Sequence, residues 1–318
     1  MQFTTLGRTG LRTSVAGLGC GGHSRLGQAY GKSADESLAV VSAALDAGVN
    51  FIDTAAAYGT ESIVGKALRG RREQTIISSK TLLQTRASNP EKTPLILADE
   101  LIKRLHDSLA RLQTDYIDIY NMHGVLEAEL DHVEAELLPT LLDLKQQGKI
   151  RFLGITERFV ADTSHQMLQR AIETNAWDVV MVGFNLLNPS ARHSLLRRTR
   201  ELNLGVQDMF AVRRALSDPA TLGEALKAAT AAGQINADPL TPADRLDEIL
   251  LQSGARTLVD LAYRFCRHEP GIHVVLTGTG NVDHLAENLA FINGPPLPAH
   301  TQTGLAEVFG RVDSVSGN

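Results

Sequence analysis

Four residues at the ends of predicted strands carry side chains that can move a proton together. Asp53 ends the apolar run 49–52, and Tyr58 follows it after a turn of small residues. Lys80 and His123 end the next two apolar runs of the chain. A phenol has a pKa of about 10 and is a weak acid near neutral pH, but a nearby ammonium group favours the phenolate and lowers that value. An acid, a phenol, an amine and an imidazole at strand ends therefore predict acid–base chemistry.

Each of the four also has an ordinary structural explanation when it is taken alone. Tyr58 is then an amphipathic residue at a rim, Asp53 a helix cap and Lys80 a surface amine. A single histidine after a strand, such as His123, is commonly a hydrogen-bonded structural imidazole. We favour the catalytic interpretation because the four occur together, each at or just after the end of a predicted strand.

Alternating strands and helices are the elements that must position these side chains. Strands are predicted at 15–19, 49–53, 75–80, 116–123, 150–156, 179–184, 204–209 and 272–277. The first helix begins at Ser33 in a Ser-x-x-Glu capping box with Glu36, and later helices are predicted near 161–174, 189–202, 255–268 and 282–291. The strands are apolar enough to be covered on both faces, which indicates a parallel sheet.

Eight strand–helix units in 318 residues predict an α/β protein built as one (β/α)8 TIM barrel. The alternative is an open, doubly wound sheet, but Gly17–Gly22 lacks the spacing of its Gly-x-Gly-x-x-Gly fingerprint. Residues 3–14 predict an N-terminal β-hairpin that closes the bottom of the barrel. We expect a single domain over residues 1–318, in which 211–254 is an irregular excursion of the length typical of a functional loop.

The composition is that of an ordinary globular protein. Hydrophobic residues make up 43% of the chain and charged residues 21%, and the formal net charge of −5 argues against a nucleic-acid partner. The N-terminus does not resemble a signal peptide, and no apolar run approaches about 20 residues, so we expect no membrane association and a cytoplasmic location. Cys20 and Cys266 lie far apart without CxxC spacing, which predicts reduced thiols and no thiolate metal site.

Several ordered motifs resemble those of the aldo-keto reductase family and together span nearly the whole chain. They are the segments 6–10, 53–59, 115–123, 148–155, 184–187, 277–280 and 284–288. The resemblance implies a (β/α)8 barrel that reduces a small-molecule carbonyl substrate, or oxidises the alcohol, with NADPH or less often NADH. It also implies that Asp53, Tyr58, Lys80 and His123 are the catalytic tetrad of the family.

In that tetrad, we expect Tyr58 to protonate the oxygen that forms when hydride reaches the carbonyl carbon. Lys80 is the cation that lowers the pKa of the phenol, and Asp53 pairs with Lys80 and limits the cost of burying it. His123 donates to the substrate oxygen or helps to transfer the proton. Because the nicotinamide carries the hydride, we expect no metal.

The predicted cofactor is NADP(H), with NAD(H) as an alternative. Backbone amides at a helix start bind phosphate, and such a start follows the eighth strand at Gly278, Thr279, Gly280 and Asn281. The resemblance implies further contacts at the two ends of the cofactor: Gly19, Cys20, Gly21 and Asp53 at the nicotinamide, and Glu287 and Asn288 at the adenosine.

Three strand ends depart from the family pattern at the nicotinamide. Thr156 and Glu157 stand where Ser-Asn is common after the fifth strand, and Met181 stands where Gln is common after the sixth. Met209 aligns with the aromatic residue that stacks on the nicotinamide, and Phe210 is adjacent. Either Phe210 holds the ring from a shifted loop, or the cofactor is held less tightly.

Charged residues near the phosphate loop bear on the choice of cofactor. Arg213 and Arg214 either meet the pyrophosphate or are plain surface charges. Gly278 and His284 stand where NADPH-preferring relatives often have Lys and Arg, and the carboxylate of Asp283 repels a phosphate. Helix amides still bind phosphate without a cation, so we expect NADPH use with weakened discrimination, in which NADH also serves.

Two other functions stay open at this point. One is a nicotinamide-binding regulatory or sensor subunit with little turnover, which the altered carboxamide contacts would allow. The other is an NAD-linked sugar dehydrogenase. The substrate pocket is predicted to be formed by the loops 24–32, 82–94, 124–131 and 211–254, whose mixed composition leaves the carbonyl and the oligomeric state open.

Overall fold

A closed barrel of eight parallel strands forms the centre of this computed structural model, which describes residues 1–84, 94–235 and 241–318. The chain begins with the antiparallel pair β1 (Phe3–Thr5) and β2 (Arg12–Ser14). The barrel strands are β3 (Ala16–Gly19), β4 (Phe51–Asp53), β5 (Ile76–Leu82), β6 (Ile117–Val125), β7 (Ile150–Glu157), β8 (Val179–Gly183), β9 (Gly205–Met209) and β10 (Val274–Thr277). Because β10 pairs with β3, the ring is closed, which confirms the predicted TIM barrel with an N-terminal hairpin.

Helices follow the strands and cover their outer faces. They are α1 (Ala34–Asp46), α2 (Glu61–Ala67), α3 (Ala98–Leu112), α4 (Leu130–His132), α5 (Leu138–Gln146), α6 (Gln166–Ala171), α7 (Ala191–Ser194), α8 (Leu196–Glu201), α9 (Pro219–Ala231), α10 (Pro242–Gln252), α11 (Leu258–Arg267), α12 (Val282–Ile292) and α13 (Ala299–Phe309). The Ser33 side chain accepts from the Glu36 amide while the Glu36 carboxylate accepts from the Ser33 amide, so the predicted capping box is confirmed. No helix in the described ranges is long and apolar enough to cross a bilayer.

The hairpin closes the amino end of the barrel. A separate apolar cluster there is formed by the hairpin and the strands: Leu6, Leu11, Phe51, Ile76, Ile119, Val179 and Val274. Gly7 has a φ of 48°, and a Cβ on it would lie 2.4 Å from backbone atoms of Leu204 and Gly205. Only glycine allows this approach, so the hairpin turn is fitted directly against the start of β9.

The segment 211–254, expected to be irregular, instead contains the helices α9 and α10. Pro219 and Pro242 occupy first-turn positions, where the missing N–H and the fixed φ of proline are tolerated. The side chains of Asp218 and Thr241 cap the two helices. The prolines that suggested irregular structure therefore mark where helices begin.

Two of the predicted helices are shorter or interrupted. The helix expected at 161–174 begins only at Gln166, because the Asp162 carboxylate accepts from the amides of Gln166 and Met167. The helix expected at 189–202 is broken at Leu195, whose φ of −130° separates α7 from α8.

Asp208 on β9 is a fully buried carboxyl group with incomplete hydrogen bonding. Its Oδ1 accepts from the Phe184 amide at 3.2 Å, while Oδ2 has no hydrogen-bond partner among the described residues. Burial raises the pKa of Asp208 well above its usual value, although the Cys266 thiol and the Phe184 amide oppose the shift. The folded protein therefore favours the protonated acid.

This raised pKa predicts a pH-dependent gain in stability for Asp208→Asn. Because the folded state holds the proton more tightly than the unfolded state, the contribution of Asp208 to stability is lost as pH rises from about 4 through the folded pKa. The variant should therefore gain stability over the wild type between pH 5 and pH 8, by about 1.4 kcal/mol for each unit of pKa shift titrated in that range. Thermal unfolding at both pH values measures this, with the exposed Asp247→Asn as control. If the melting temperatures of Asp208→Asn and the wild type differ by the same amount at pH 5 and pH 8, titration of Asp208 does not contribute to the pH dependence of stability.

Candidate active site

A buried ion pair joins β4 and β5 at the carboxyl end of the barrel. Lys80 Nζ lies 2.6 and 2.7 Å from the two carboxylate oxygens of Asp53 and donates to the Thr54 carbonyl at 3.0 Å. Register brings the pair together, since Asp53 pairs with Ser78 and Lys80 follows two residues later on the same face of β5. Three acceptors surround an ammonium group with three protons, which limits the cost of burying the charge.

Tyr58 lies beside this pair and next to His123. The Tyr58 hydroxyl is 3.3 Å from His123 Nε2, and the two rings meet edge to face with their centroids 5.4 Å apart. Lys80 Nζ lies 4.9 Å from the centroid of the Tyr58 ring. The structure thus brings together the four residues predicted from the sequence at the carboxyl ends of the strands. They are Asp53, Tyr58, Lys80 and His123.

Burial and neighbouring charges oppose each other in setting the pKa values of Tyr58 and Lys80, and they act together on the pKa of His123. Lys80 acts to lower the pKa of Tyr58, as expected, but burial outweighs it and raises the pKa above its usual value, so the net lowering expected from the sequence is not found. Burial alone would lower the pKa of Lys80, but Asp53 and Tyr58 hold it above its usual value. Burial, Lys80 and Arg158 together lower the pKa of His123 to about 3. At neutral pH the site therefore holds a protonated phenol, an ion pair and a neutral imidazole.

An open cavity of about 1370 Å³ lies above these residues. Tyr58 and His123 line it, as do nearly all the residues predicted to bind the cofactor: Gly19, Gly21, Asp53, Thr156, Glu157, Met181, Met209, Phe210, Arg213, Gly278, Thr279, Gly280, Asn281, His284, Glu287 and Asn288. Cys20 does not, because its side chain is fully buried in the hydrophobic core. Of the predicted pocket loops, residues 85–93 of 82–94 and residues 236–240 of 211–254 lie outside the described part of the chain.

Thr156 and Glu157 are both engaged by protein groups. Thr156 Oγ1 accepts from the Gly124 amide at 2.7 Å. Glu157 Oε1 accepts from the Gly183 amide at 2.8 Å and lies 2.9 Å from His165 Nδ1. Glu157 and His165 are fully buried, and burial raises the pKa of Glu157 while His165 opposes the shift. This pair holds the loop after β7 against the end of β8.

The aromatic side chains after β7 and β9 form a stack that ends on an arginine. Phe159 stacks on His165 at 5.3 Å and meets Phe210 edge to face at 5.5 Å. Phe210 has a φ of 73°, a conformation rarely adopted by bulky residues, and its ring lies 3.8 Å from the Arg213 guanidinium carbon. Phe210 and Met209 both line the cavity, so either side chain is placed to contact a bound ring.

The loop after β10 is already capped by its own side chains. Asn281 Oδ1 accepts from the amides of Asp283 and His284 at the start of α12. A Cβ on Gly280 would lie 2.4 Å from the backbone of Gly27, so the loops after β3 and β10 are in direct contact. A phosphate at this end must displace the Asn281 side chain or use other donors.

Other donors are present around the same end of the cavity. Lys32 Nζ donates to the Gly280 carbonyl at 2.7 Å and lines the cavity. Arg213 Nε is buried without a partner among the described residues, while its NH2 group donates to Asn318 at 2.6 Å. Cationic donors of this kind suit the phosphates of a nicotinamide nucleotide, so the residues present fit such a cofactor.

Sequence reasoning missed Arg158 as a residue that lines the cavity, and it included Lys32 only as the last residue of the pocket loop 24–32, without a role at the phosphates. Lys32 directly precedes the Ser33 capping box, and Arg158 directly follows Glu157, but neither position is marked by a motif. Their proximity to the site depends on loop contacts across the barrel. Within the described ranges, no group of three or more His, Cys, Asp or Glu residues is arranged to hold a metal ion.

Comparison with known proteins places the chain in one family. The model of the aldo/keto reductase family matches residues 18–307. The chain is 28% identical to L-galactose dehydrogenase of Arabidopsis thaliana, over 97% of this chain and 93% of that protein, and 28% identical to aldo-keto reductase YhdN of Bacillus subtilis, over 95% and 92%. The holo form of aldo-keto reductase AKR11C1 from Bacillus halodurans has the same fold, with a TM-score of 0.73 at 24% identity and 96% of each chain covered. The chain belongs to the aldo-keto reductases, a family of NAD(P)H-dependent oxidoreductases.

Close contact between Gly21 and Tyr58 gives a test of how the phenol is positioned. A Cβ on Gly21 would lie 2.4 Å from the Tyr58 ring, so Gly21→Ala must displace the ring. If Tyr58 takes part in the reaction, a displacement of about 1 Å costs on the order of a hundredfold in rate, and we expect turnover to fall by about that factor. The control is Gly223→Ala on α9, where a Cβ meets nothing within 4 Å. Unchanged turnover in Gly21→Ala would contradict this account of the Tyr58 position.

Proposed function

We propose that the protein reduces an aldehyde or ketone by hydride transfer from NADPH, with Tyr58 as the general acid. The observation that carries the proposal is the setting of the Tyr58 hydroxyl, 3.3 Å from His123 Nε2, beside the Lys80–Asp53 pair and at the cavity. When bound, the reduced nicotinamide supplies the hydride, and proton transfer is left to the protein.

Tyr58 donates its proton to the carbonyl oxygen as negative charge develops there. The raised pKa keeps the phenol protonated at rest, and Lys80 stabilises the phenolate that remains after transfer. Asp53 holds Lys80 in position through both carboxylate oxygens. His123 is neutral and donates through Nε2 to the same oxygen, which orients the carbonyl towards Tyr58.

Removal of the Tyr58 hydroxyl tests the assignment of the acid. We expect Tyr58→Phe to lower kcat for aldehyde reduction by at least about a hundredfold, the usual contribution of a general acid, while the Kd of NADPH stays within about twofold. Stopped-flow turnover and fluorescence titration measure the two quantities. Tyr116→Phe, at the opposite end of the barrel, is the control. Near wild-type turnover in Tyr58→Phe would rule the phenol out, and tight nucleotide binding by a wild type without turnover would support the sensor alternative.

The proposed cofactor is NADPH, with NADH also accepted. Asn281 occupies two amides at the start of α12, and Asp283 adds a negative charge in its first turn, both of which weaken binding of a 2′-phosphate. Lys32, next to Gly280, supplies a cation that compensates in part. A preference for NADPH of less than about a thousandfold is the expected result of these opposing contributions.

Titration of both reduced nucleotides tests this choice. Lys32→Gln removes one charge-assisted contact. It should raise the Kd of NADPH about tenfold and leave the Kd of NADH within about twofold of the wild-type value. The exposed Lys66→Gln on α2 is the matched control. NADPH favoured a thousandfold or more in the wild type, or not bound at all, would refute this account of the loop.

A second candidate is oxidation of a sugar with NAD⁺. It is favoured by the similarity to L-galactose dehydrogenase, which extends over 97% of this chain. Faster oxidation of L-galactose with NAD⁺ than reduction of any aldehyde in a panel with NADPH would support this candidate over carbonyl reduction.

A further inference from the structure

The two carboxylates near the reacting groups are both matched by basic partners. Asp53 is paired with Lys80, and Glu157 is bonded to His165 and the Gly183 amide. The Asp162 carboxylate, four residues beyond Arg158, caps the start of α6. The acidic groups on this side of the cavity are thus already engaged.

Arg158, in contrast to these carboxylates, has no partner of opposite charge among the described residues. It lines the cavity and is half-buried, yet its guanidinium makes no ion pair and no side-chain hydrogen bond with any residue in the described ranges. Its backbone carbonyl accepts from the amides of Ala161 and Asp162, so the turn that carries it is ordered. The five N–H donors of the guanidinium are therefore free to bind an anion in the cavity.

Arg158 is also close to the reacting groups. Its Nε lies 3.8 Å from the point where a Cβ would stand on Gly124, the residue that follows His123. The charge of Arg158 contributes, after burial and Lys80, to the lowered pKa of His123. The nearby residues Leu82, Phe159 and Val160 are apolar and line the same cavity. An anion bound here would lie near the point where a carbonyl meets Tyr58 and His123.

The other cations of the cavity lie on the nucleotide side. Arg25 and Lys32 follow β3, and Arg213 and Arg214 follow β9, and these two strands flank β10 and its phosphate loop. Arg158 follows β7, which stands opposite β3 in the ring of eight strands. Arg158 is therefore separated from the loop after β10, where we expect the phosphates of the cofactor to bind.

We propose that Arg158 binds an anionic group of the substrate, so that the protein acts on a small carbonyl compound that carries a carboxylate or a phosphate. This inference rests on the proposed carbonyl reduction. The planar guanidinium matches either anion in a two-point contact, and the apolar residues beside it accommodate the carbon skeleton between the anion and the carbonyl.

Matched pairs of substrates test the proposal. One pair is 4-formylbenzoate and its neutral methyl ester, and the other is glyceraldehyde 3-phosphate and glyceraldehyde, each reduced with NADPH. We expect wild-type kcat/KM to favour at least one anion over its neutral partner by roughly tenfold or more. Arg158→Gln should lower kcat/KM for that anion by roughly ten- to a hundredfold, mainly through a higher KM, and should leave kcat/KM for the neutral partner unchanged. Arg158→Lys should keep part of the preference for the anion. Arg197→Gln on α8, exposed at 76%, removes the same charge far from the cavity and should change neither ratio.

The outcomes separate this proposal from the proposed function. The pair with the larger Arg158 dependence identifies carboxylate or phosphate as the group recognised. If the neutral substrates are reduced as well as the anions, or if Arg158→Gln slows both members of a pair equally, the proposal is wrong while carbonyl reduction stands. If no carbonyl is reduced, calorimetric titration of 4-formylbenzoate into the protein with NADP⁺ decides: binding that weakens tenfold in Arg158→Gln supports the anion site, and equal binding overturns it.

Discussion

A buried ion pair between Lys80 and Asp53 is the interaction on which the site depends. Two charges can be removed from water at this depth only because each oxygen of Asp53 meets the ammonium group and the Thr54 carbonyl completes its hydrogen bonds. The closed barrel supplies that geometry, since the parallel register of β4 and β5 brings both side chains to the same interior face. Removal of either partner would leave a buried charge unpaired, so the scaffold and the reacting groups are coupled through this pair.

Much of the fold could be predicted because its determinants are local. Strand boundaries were within about two residues at most ends, since apolar runs that stop at a charged or polar residue mark the carboxyl end of a buried strand directly. The Ser33–Glu36 capping box and the four residues of the candidate site follow from the same kind of short-range pattern. The ring closure between β10 and β3 was inferred from the number of units and from the family resemblance, and eight parallel strands have a well-defined closed arrangement.

The features that could not be predicted depend on contacts between loops. The bond between Glu157 and His165 requires His165 to adopt a φ of 65°, and the sequence does not show that such a turn follows β7. Proline residues at 219 and 242 suggested irregular structure, although with a capping residue before them they begin helices. Lys32 reaches Gly280 only because the loops after β3 and β10 pack against each other. Cys20 was placed at the cofactor by the family resemblance, but its side chain is fully buried in the core.

In the proposed reaction, burial of the phenol has two consequences that act at different stages. At rest, loss of solvent raises the pKa of Tyr58 more than Lys80 lowers it, so the proton stays on the oxygen. When the proton leaves, the same low-dielectric surroundings strengthen the attraction between the new phenolate and the ammonium group, because the energy of a charge pair rises as the effective dielectric constant falls. His123 remains neutral throughout, since protonation beside Lys80 in this environment is unfavourable. In the proposed reaction, electrostatic stabilisation therefore acts mainly on the state formed after proton transfer, which is where it can contribute to rate.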